Sequence, residues 1–475
     1  MLDFNQLARQ MQGISQHLAN ESTALKQKLD YAEILIAQAQ TIQADLVDRQ
    51  DHWRDRLIFT AAIPVEGLET RASIPLAPQA HTVIATDGSQ IAPSHHEIAY
   101  CYLINTGRIV LHYGQGKQPL LDSLPEVFYR PEDLFVSRQW GIRTEEWMSY
   151  RRTITEIEVL AELAQYAHHH QSRLHQNPLL RGVHLPSDLP LLNLMPETIE
   201  PELEEPELED PELEEPKLEP IVAPKRLKKS SQQLSLIADP DPTPTTPKTG
   251  TTIAVPTIAM VDGSLIYWFL EQLPSEARDQ ILQPILAAWR SLQRARVPMV
   301  GYISASRSGE SLNFLRLQTC PYTAPDCMSH CNNLPDKAPC QVLEPLRDSA
   351  LWGRLLKPGE RSPLWKSSAK IQSFYEEQCI YFCYVHVGSE VARVEVPEWV
   401  AADNALLSSA LSLVLAQVTK GYGYPVALAE AHNQAVVRGG DRSRFFALLE
   451  QQMIRAGIRN VGTSYKEARK RGSIA

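Results

Sequence analysis

The chain has 475 residues, 43% of them hydrophobic, a formal net charge of −10 and seven cysteines. It is too long for one compact core, and no uninterrupted apolar stretch reaches bilayer length, which excludes a membrane-spanning helix. The opening MLDFNQLARQMQG has no secretory pattern and the cysteines form no evenly spaced framework, so a soluble cytoplasmic protein with reduced thiols is expected. The negative charge is local. Twelve acidic residues against the single Lys217 crowd residues 196–220 and leave the rest of the chain near neutral, no obstacle to a polyanionic substrate.

Residues 1–60 read as an N-terminal helical segment. Leu7, Met11, Ile14 and Leu18, then Leu25, Leu29, Ala32 and Ile36, with Leu46 later, recur at helical spacing. Such an amphipathic pair serves either to pack on its own globule or to meet a partner. Residues 75–185 read as the first part of a catalytic domain. HTVIAT, EIAYCYLINT and RIVLHYG are expected to be three strands of a meander, with turns at Asp87-Gly88-Ser89 and Thr106-Gly107, followed by a helix from about 145 to 167.

Residues 186–252 read as a disordered insertion. Proline returns every fifth position through PETIE-PELEE-PELED-PELEE-PKLEP, which forbids a continuous helix, and the acids repel one another into an extended chain. The basic patch Lys225, Arg226, Lys228 and Lys229 follows, either a solvated stretch or a contact for nucleic acid or the acidic repeat. Residues 253–475 read as the second part of the domain: the strand TIAMVDG, a helix over about 275–295, the strands VPMVGYIS and IYFCYVHV, and a helical last third. The layout is α/β, a mixed sheet flanked by helices.

Two apolar strand-like runs end in the same triplet, HTVIATDGS with Asp87 and TIAMVDGS with Asp262. A carboxylate at a strand tip, with Gly to turn the chain and Ser to bond the freed backbone, aims an acid out of a sheet. Two such tips side by side suggest a divalent-cation site, although Asp-Gly alone is a common turn pair. On the helix RRTITEIEVLAELAQYA, Glu156 lies about 70° from the centre of the apolar face and Glu158 about 130°. Glu156 is therefore the better placed to reach the sheet edge, with Glu158 its competitor. In YGYPVALAEAHNQAVV, Pro425 suits a first helical turn, and His432 projects from the apolar stripe as either a core residue or a ligand.

This ordered set resembles the NurA family of DNA-repair nucleases: Asp87, Glu156, Asp262, Tyr424-Pro425 and His432, with Asp348 and Gly359-Glu360-Arg361-Ser362 in DSALWGRLLKPGERSPLW. The resemblance covers most of residues 80–440 apart from the insertion. It implies an RNase H-like sheet and a Mn²⁺-dependent nuclease that cuts single-stranded DNA and degrades DNA 5′→3′ in double-strand break repair. Asp87, Glu156, Asp262 and His432 match the metal positions, for Mn²⁺ or Mg²⁺, and Tyr424 matches the family tyrosine. It also implies a homodimer working with a hexameric HerA-type ATPase. The alternatives are a catalytically silent subunit of a translocase complex that binds DNA and partner, and another RNase H-like phosphohydrolase.

Four cysteines, Cys320, Cys327, Cys331 and Cys340, share the loop 320–340 beside His330. Their spacing matches no standard zinc finger, but the density suits a structural Zn²⁺ or iron–sulfur site, zinc being favoured, or else free thiols. Cys101, Cys379 and Cys383 read as core residues. Arg307, after the strand VPMVGYIS, and Arg361, with Lys357 near it, are candidate phosphate contacts, with surface ion pairs as the plainer reading.

Overall fold

The apolar runs Val83–Ala85, Ile258–Val261 and Met299–Tyr302 are buried at every position, the signature of strands covered on both faces. They lie at the centre of a mixed sheet in a computed structural model that describes residues 4–94, 99–169, 255–331 and 338–457. The expected insertion at 186–252, with its acidic repeat and basic patch, lies outside the described residues. The described segments on either side of it fold together into one compact unit.

Helices α1 (Phe4–Thr41) and α2 (Gln43–Trp53) come first, then strands β1 (Ile63–Pro64), β2 (Ala72–Ser73), β3 (His81–Ile91), β4 (Tyr102–Tyr113) and β5 (Leu120–Phe128). Helix α3 (Pro131–Phe135) leads into the long α4 (Thr144–His169). Next come β6 (Thr257–Asp262), α5 (Ser275–Arg294), β7 (Met299–Ile303), α6 (Glu310–Thr319), α7 (Cys327–His330) and α8 (Asp348–Leu355). Strands β8 (Glu360–Arg361), β9 (Trp365–Lys366), β10 (Ile380–His386) and β11 (Val391–Pro397) precede helices α9 (Glu398–Ala401), α10 (Asn404–Lys420), α11 (Val426–Ala435) and α12 (Gly439–Arg455).

Among the described residues the sheet has eleven strands. Its main path runs β1-β9-β10-β11-β7-β6-β3-β4-β5, with β2 on β8 and β8 on β10. The meander β3-β4-β5 is antiparallel, whereas β6 lies parallel to both β3 and β7. This is the mixed sheet flanked by helices that the sequence leads one to expect. Parallel neighbours need long crossovers, which bring the C-terminal ends of β3 and β6 to one edge. Helices α10 and α11 cover one face, packing Val414, Val418, Leu428 and Ala431 on Val83, Ala85, Met260 and Val300. Helix α4 lies on the opposite face of β3 and packs on α5.

Four expectations need correction. Strand β3 runs straight through Asp87-Gly88-Ser89 to Ile91, so the first triplet is no turn. Strand β4 likewise passes through Thr106-Gly107, so two expected strands are one continuous strand. The third meander strand is β5, whose alternating burial and Pro125 suit a sheet edge. Strand β11 completes a hairpin with β10 ahead of the helical last third. In α1, Ala32, Leu35, Ile36 and Ala39 are buried against Leu312 of α6 and Trp352 of α8, while Met11 and Ile14 are exposed. The second half of that helix therefore packs on its own globule. No helix among the described residues is long and apolar enough to cross a membrane.

Candidate active site at the strand ends

Asp87 and Asp262 stand on adjacent parallel strands and on the same face, since side chains alternate along a strand and Val83, Ala85, Ile258 and Met260 all pack toward α10 and α11. The second triplet turns as its chemistry dictates. β6 ends at Asp262, Gly263 takes φ +116° and donates its N–H to the Tyr302 carbonyl at 2.9 Å, and Ser264 Oγ accepts from the Ile266 N–H at 3.0 Å. Glu395 of β11 then fixes this turn, accepting from Ser264 Oγ at 2.9 Å and the Leu265 N–H at 2.7 Å. Glu395 is itself held by the buried Arg393 at 2.7 Å, which also pairs with Glu310 at 2.8 Å.

In the first triplet the glycine does something else. A Cβ on Gly88 would collide with the Glu156 carboxylate and the stem of Arg152, so its absence opens the gap through which α4 delivers Glu156 to the strand end. Thr86 Oγ1 donates to the Glu156 carbonyl at 2.9 Å and pins α4 at this level. Gly107, the register partner of Asp87, plays the same part on the opposite face, where a Cβ would strike the α11 backbone at Ala431 and Ala435. Ser89 Oγ and Asn105 Nδ2 donate to the Ala435 carbonyl and satisfy a helix end that would otherwise lack donors. With α11 fixed this way, His432 Nδ1 lies 2.8 Å from Asp87 Oδ2.

The two faces thus deliver Asp87, Asp262, Glu156 and His432 to one place, and Tyr424 joins them by donating its hydroxyl to Asp262. The Tyr424 ring stands edge-on to Tyr302, with centroids 5.8 Å apart. Glu158 points elsewhere: it is exposed and interacts with Arg151, Glu126 and Glu162. Arg152, which the sequence reading passed over, sits 3.2 Å from Glu156 and one helical turn before it, an i,i+4 relation visible in RRTITE.

The electrostatics are those of a site short of positive charge. Burial pushes the Glu156 carboxyl up to about 8, with Asp87 and Asp262 adding repulsion against the opposing pull of Arg152 and the Gly88 N–H. Burial and Asp87 raise Asp262 as well, opposed by the Tyr424 hydroxyl and His432. Burial and Asp262 hold the Tyr424 proton more firmly than in water. Carboxylate oxygens with one imidazole form a hard donor set of the kind that takes Mg²⁺ or Mn²⁺, and a cation is what this mutual repulsion calls for. Among the described residues, no three His, Cys, Asp or Glu side chains enclose an ion-sized point as they stand. The carboxylates are instead turned toward His432, Tyr424 and Arg152.

The other candidates fare differently. Arg307 is exposed just past β7, which runs parallel to β6, and its side chain makes no ion pair among the described residues. Arg361 is not available to phosphate, because its guanidinium grips Glu66 at 2.6 and 2.8 Å. Asp348 is wholly buried and caps α6, accepting from the Ser311 and Leu312 N–H groups and the Tyr384 hydroxyl. Cys331 and Cys340 share a small apolar cluster with Cys320, and Cys327 lies one helical turn from Cys331. Among the described residues no disulfide joins the cysteines and those four do not converge as ion ligands, so the zinc or iron–sulfur expectation has no support in the geometry.

The chain matches the NurA domain family over residues 81–175 and 253–437, together more than half of its length and interrupted where the insertion was expected. Among solved structures it is similar to the NurA nuclease from Sulfolobus solfataricus, at 10% identity and a TM-score of 0.45, over 96% of this chain and 98% of that one. It is also similar to a structure of NurA with manganese, at 10% identity and a TM-score of 0.30, over 87% and 98%. No curated protein matches it.

Proposed function

The chain belongs to the NurA domain family, and on that premise we propose that it is a divalent-metal-dependent nuclease that hydrolyses DNA phosphodiester bonds. One observation carries the reading. Two strands, two helices and the turn before α11 bring three carboxylates, an imidazole and a phenol to one sheet edge, where the acids repel one another. Asp87, Glu156, Asp262 and His432 are the residues that would hold Mn²⁺ or Mg²⁺, and such an ion supplies an activated water and stabilisation of the leaving oxygen.

The protein's own groups have distinct parts in this scheme. Asp87 holds His432 through Nδ1, which leaves Nε2 of that largely exposed ring for a further ligand or a substrate oxygen. Tyr424 fixes the orientation of Asp262 through its hydroxyl. Arg152 offsets the Glu156 charge from the helix side, so that this carboxyl can stay close to two others. Arg307, exposed beyond β7, contacts substrate phosphate. The reading extends to single-strand endonuclease and 5′→3′ exonuclease action in double-strand break repair in the cytoplasm, by a homodimer working with a HerA-type hexameric ATPase.

The test is a substrate panel of single-stranded DNA, duplex DNA, RNA and a phosphomonoester with Mn²⁺, using wild type and Asp87→Ala. Wild type is expected to degrade single-stranded DNA only with the metal. Asp87→Ala should lose on the order of 100-fold or more, the scale of removing an electrostatic group at a reacting centre. Equal rates for the two proteins would remove Asp87 from the chemistry, and a preference for RNA or phosphomonoester would change the substrate class.

A further inference from the structure

Between α10 and α11 the chain makes the tight turn Gly421-Tyr422-Gly423-Tyr424, closed by Gly421 N–H to the Gln417 carbonyl at 3.0 Å and Gly423 N–H to the Val418 carbonyl at 3.0 Å. Tyr422 sits in this turn with φ +55°. That left-handed conformation crowds a Cβ against the following carbonyl, and glycine occupies it freely. The neighbouring Gly423, at φ +122°, is a residue suited to its own conformation, whereas Tyr422 is not. Among the described residues the Tyr422 side chain makes no compensating contact, and the residue is 99% exposed. A large aromatic ring is thus kept in water, on strained backbone that only glycine would adopt freely.

Its position accounts for it. Two residues later Tyr424 bonds Asp262, so the rigid turn presents the Tyr422 ring on the same segment that reaches the carboxylate cluster. The largely exposed His432 follows on α11, and Trp268 and Phe269, in the segment after Asp262, are also about two-fifths exposed. Strained residues near a functional site commonly serve it, and an exposed aromatic ring is the element on which successive bases of a single strand stack.

We infer that Tyr422 is a stacking platform for an unpaired base of the nucleic-acid strand that enters the carboxylate site. The inference deepens the nuclease reading and rests on it. It specifies an unpaired base because the ring stands clear of the surface, where a base held in a duplex stack offers only its edge. The hydroxyl has no part in the contact.

The test is binding alone, measured in chelator so that nothing is cut, by anisotropy of a labelled oligothymidylate and of an abasic oligonucleotide of the same length. Tyr422→Ala should weaken binding of the base-bearing strand roughly tenfold and leave the abasic strand unchanged, while Tyr422→Phe should bind as wild type does. Tyr422→Gly should weaken binding equally yet melt at a temperature no lower than wild type, because glycine relieves the strain; this separates lost contact from lost fold. Equal loss on both strands, or no loss on either, overturns the platform and leaves the nuclease reading standing. If wild type binds neither strand, the platform falls, while the nuclease reading is decided separately by Mn²⁺-dependent cutting of single-stranded DNA.

Discussion

Glu156 is the acid that α4 brings to the two strand-end aspartates. Held up to about 8 by burial and by two neighbouring aspartates, it keeps its proton at neutral pH unless a cation takes the proton's place. The sign of the linkage follows. A carboxyl whose folded value lies above its unfolded one favours the folded state below the unfolded value, and that contribution is lost as pH rises through the folded value. In metal-free protein, thermal stability should therefore decline between pH about 4.5 and about 8, and Glu156→Gln should flatten that decline. Melting curves across that range in chelator check it; an unchanged slope in the variant would show that another group is responsible. The helical spacing of Ile154, Ile157, Leu160 and Ala161 was enough to favour Glu156 over Glu158, because both faces of an amphipathic helix can be laid out from sequence. Arg152 is equally legible, one helical turn before Glu156. That Glu66 engages Arg361 was not legible, since 295 positions separate the pair.

At the level of elements, two glycines set the distances. Gly88 admits α4 from one side of β3, and Gly107 admits α11 from the other. Gly107→Ala should push α11 outward, lengthening the Asp87–His432 contact and costing about 1–3 kcal/mol, the usual penalty of overpacking. The check is a lower melting temperature together with reduced metal-dependent cutting; a fall in stability with full activity would mean that His432 is dispensable. Both glycines were read from sequence as turn residues, which is what Gly beside Asp or Thr commonly signals. What distinguishes a turn from a passage for a helix is the approach of another element, and the local pattern carries no trace of it. Gly263 shows the contrast: its φ of +116° is the turn that the same triplet suggested. β5 was missed because Pro125 and its half-exposed alternation weaken the strand signal at a sheet edge. Glu395 was hidden for another reason. It holds the Asp262 turn from β11, and only the sheet order reveals that β11 lies next to β7.

For the whole molecule, the sheet brings together halves that lie far apart in sequence. Asp87 and Glu156 precede the insertion, Asp262, Tyr424 and His432 follow it, and the parallel pairing of β3 with β6 joins them. The mixed α/β class was legible from the order of strand and helix patterns, because a three-strand meander followed by alternating helices and strands leaves few ways to cover a sheet. The strand order was not, since pairings between distant segments leave no local mark. The cysteine loop shows the limit of composition: four thiols are drawn into one neighbourhood, yet apolar packing with Ile58 and Phe59 accounts for their burial without an ion. On the proposed reading five elements from both halves frame one cation site, and anomalous diffraction from crystals soaked in Mn²⁺ decides whether they do. A manganese peak is expected between Asp87, Glu156 and Asp262, with the His432 and Tyr424 contacts rearranged around it. A peak at another place, or none among these carboxylates at saturating metal, would contradict that reading.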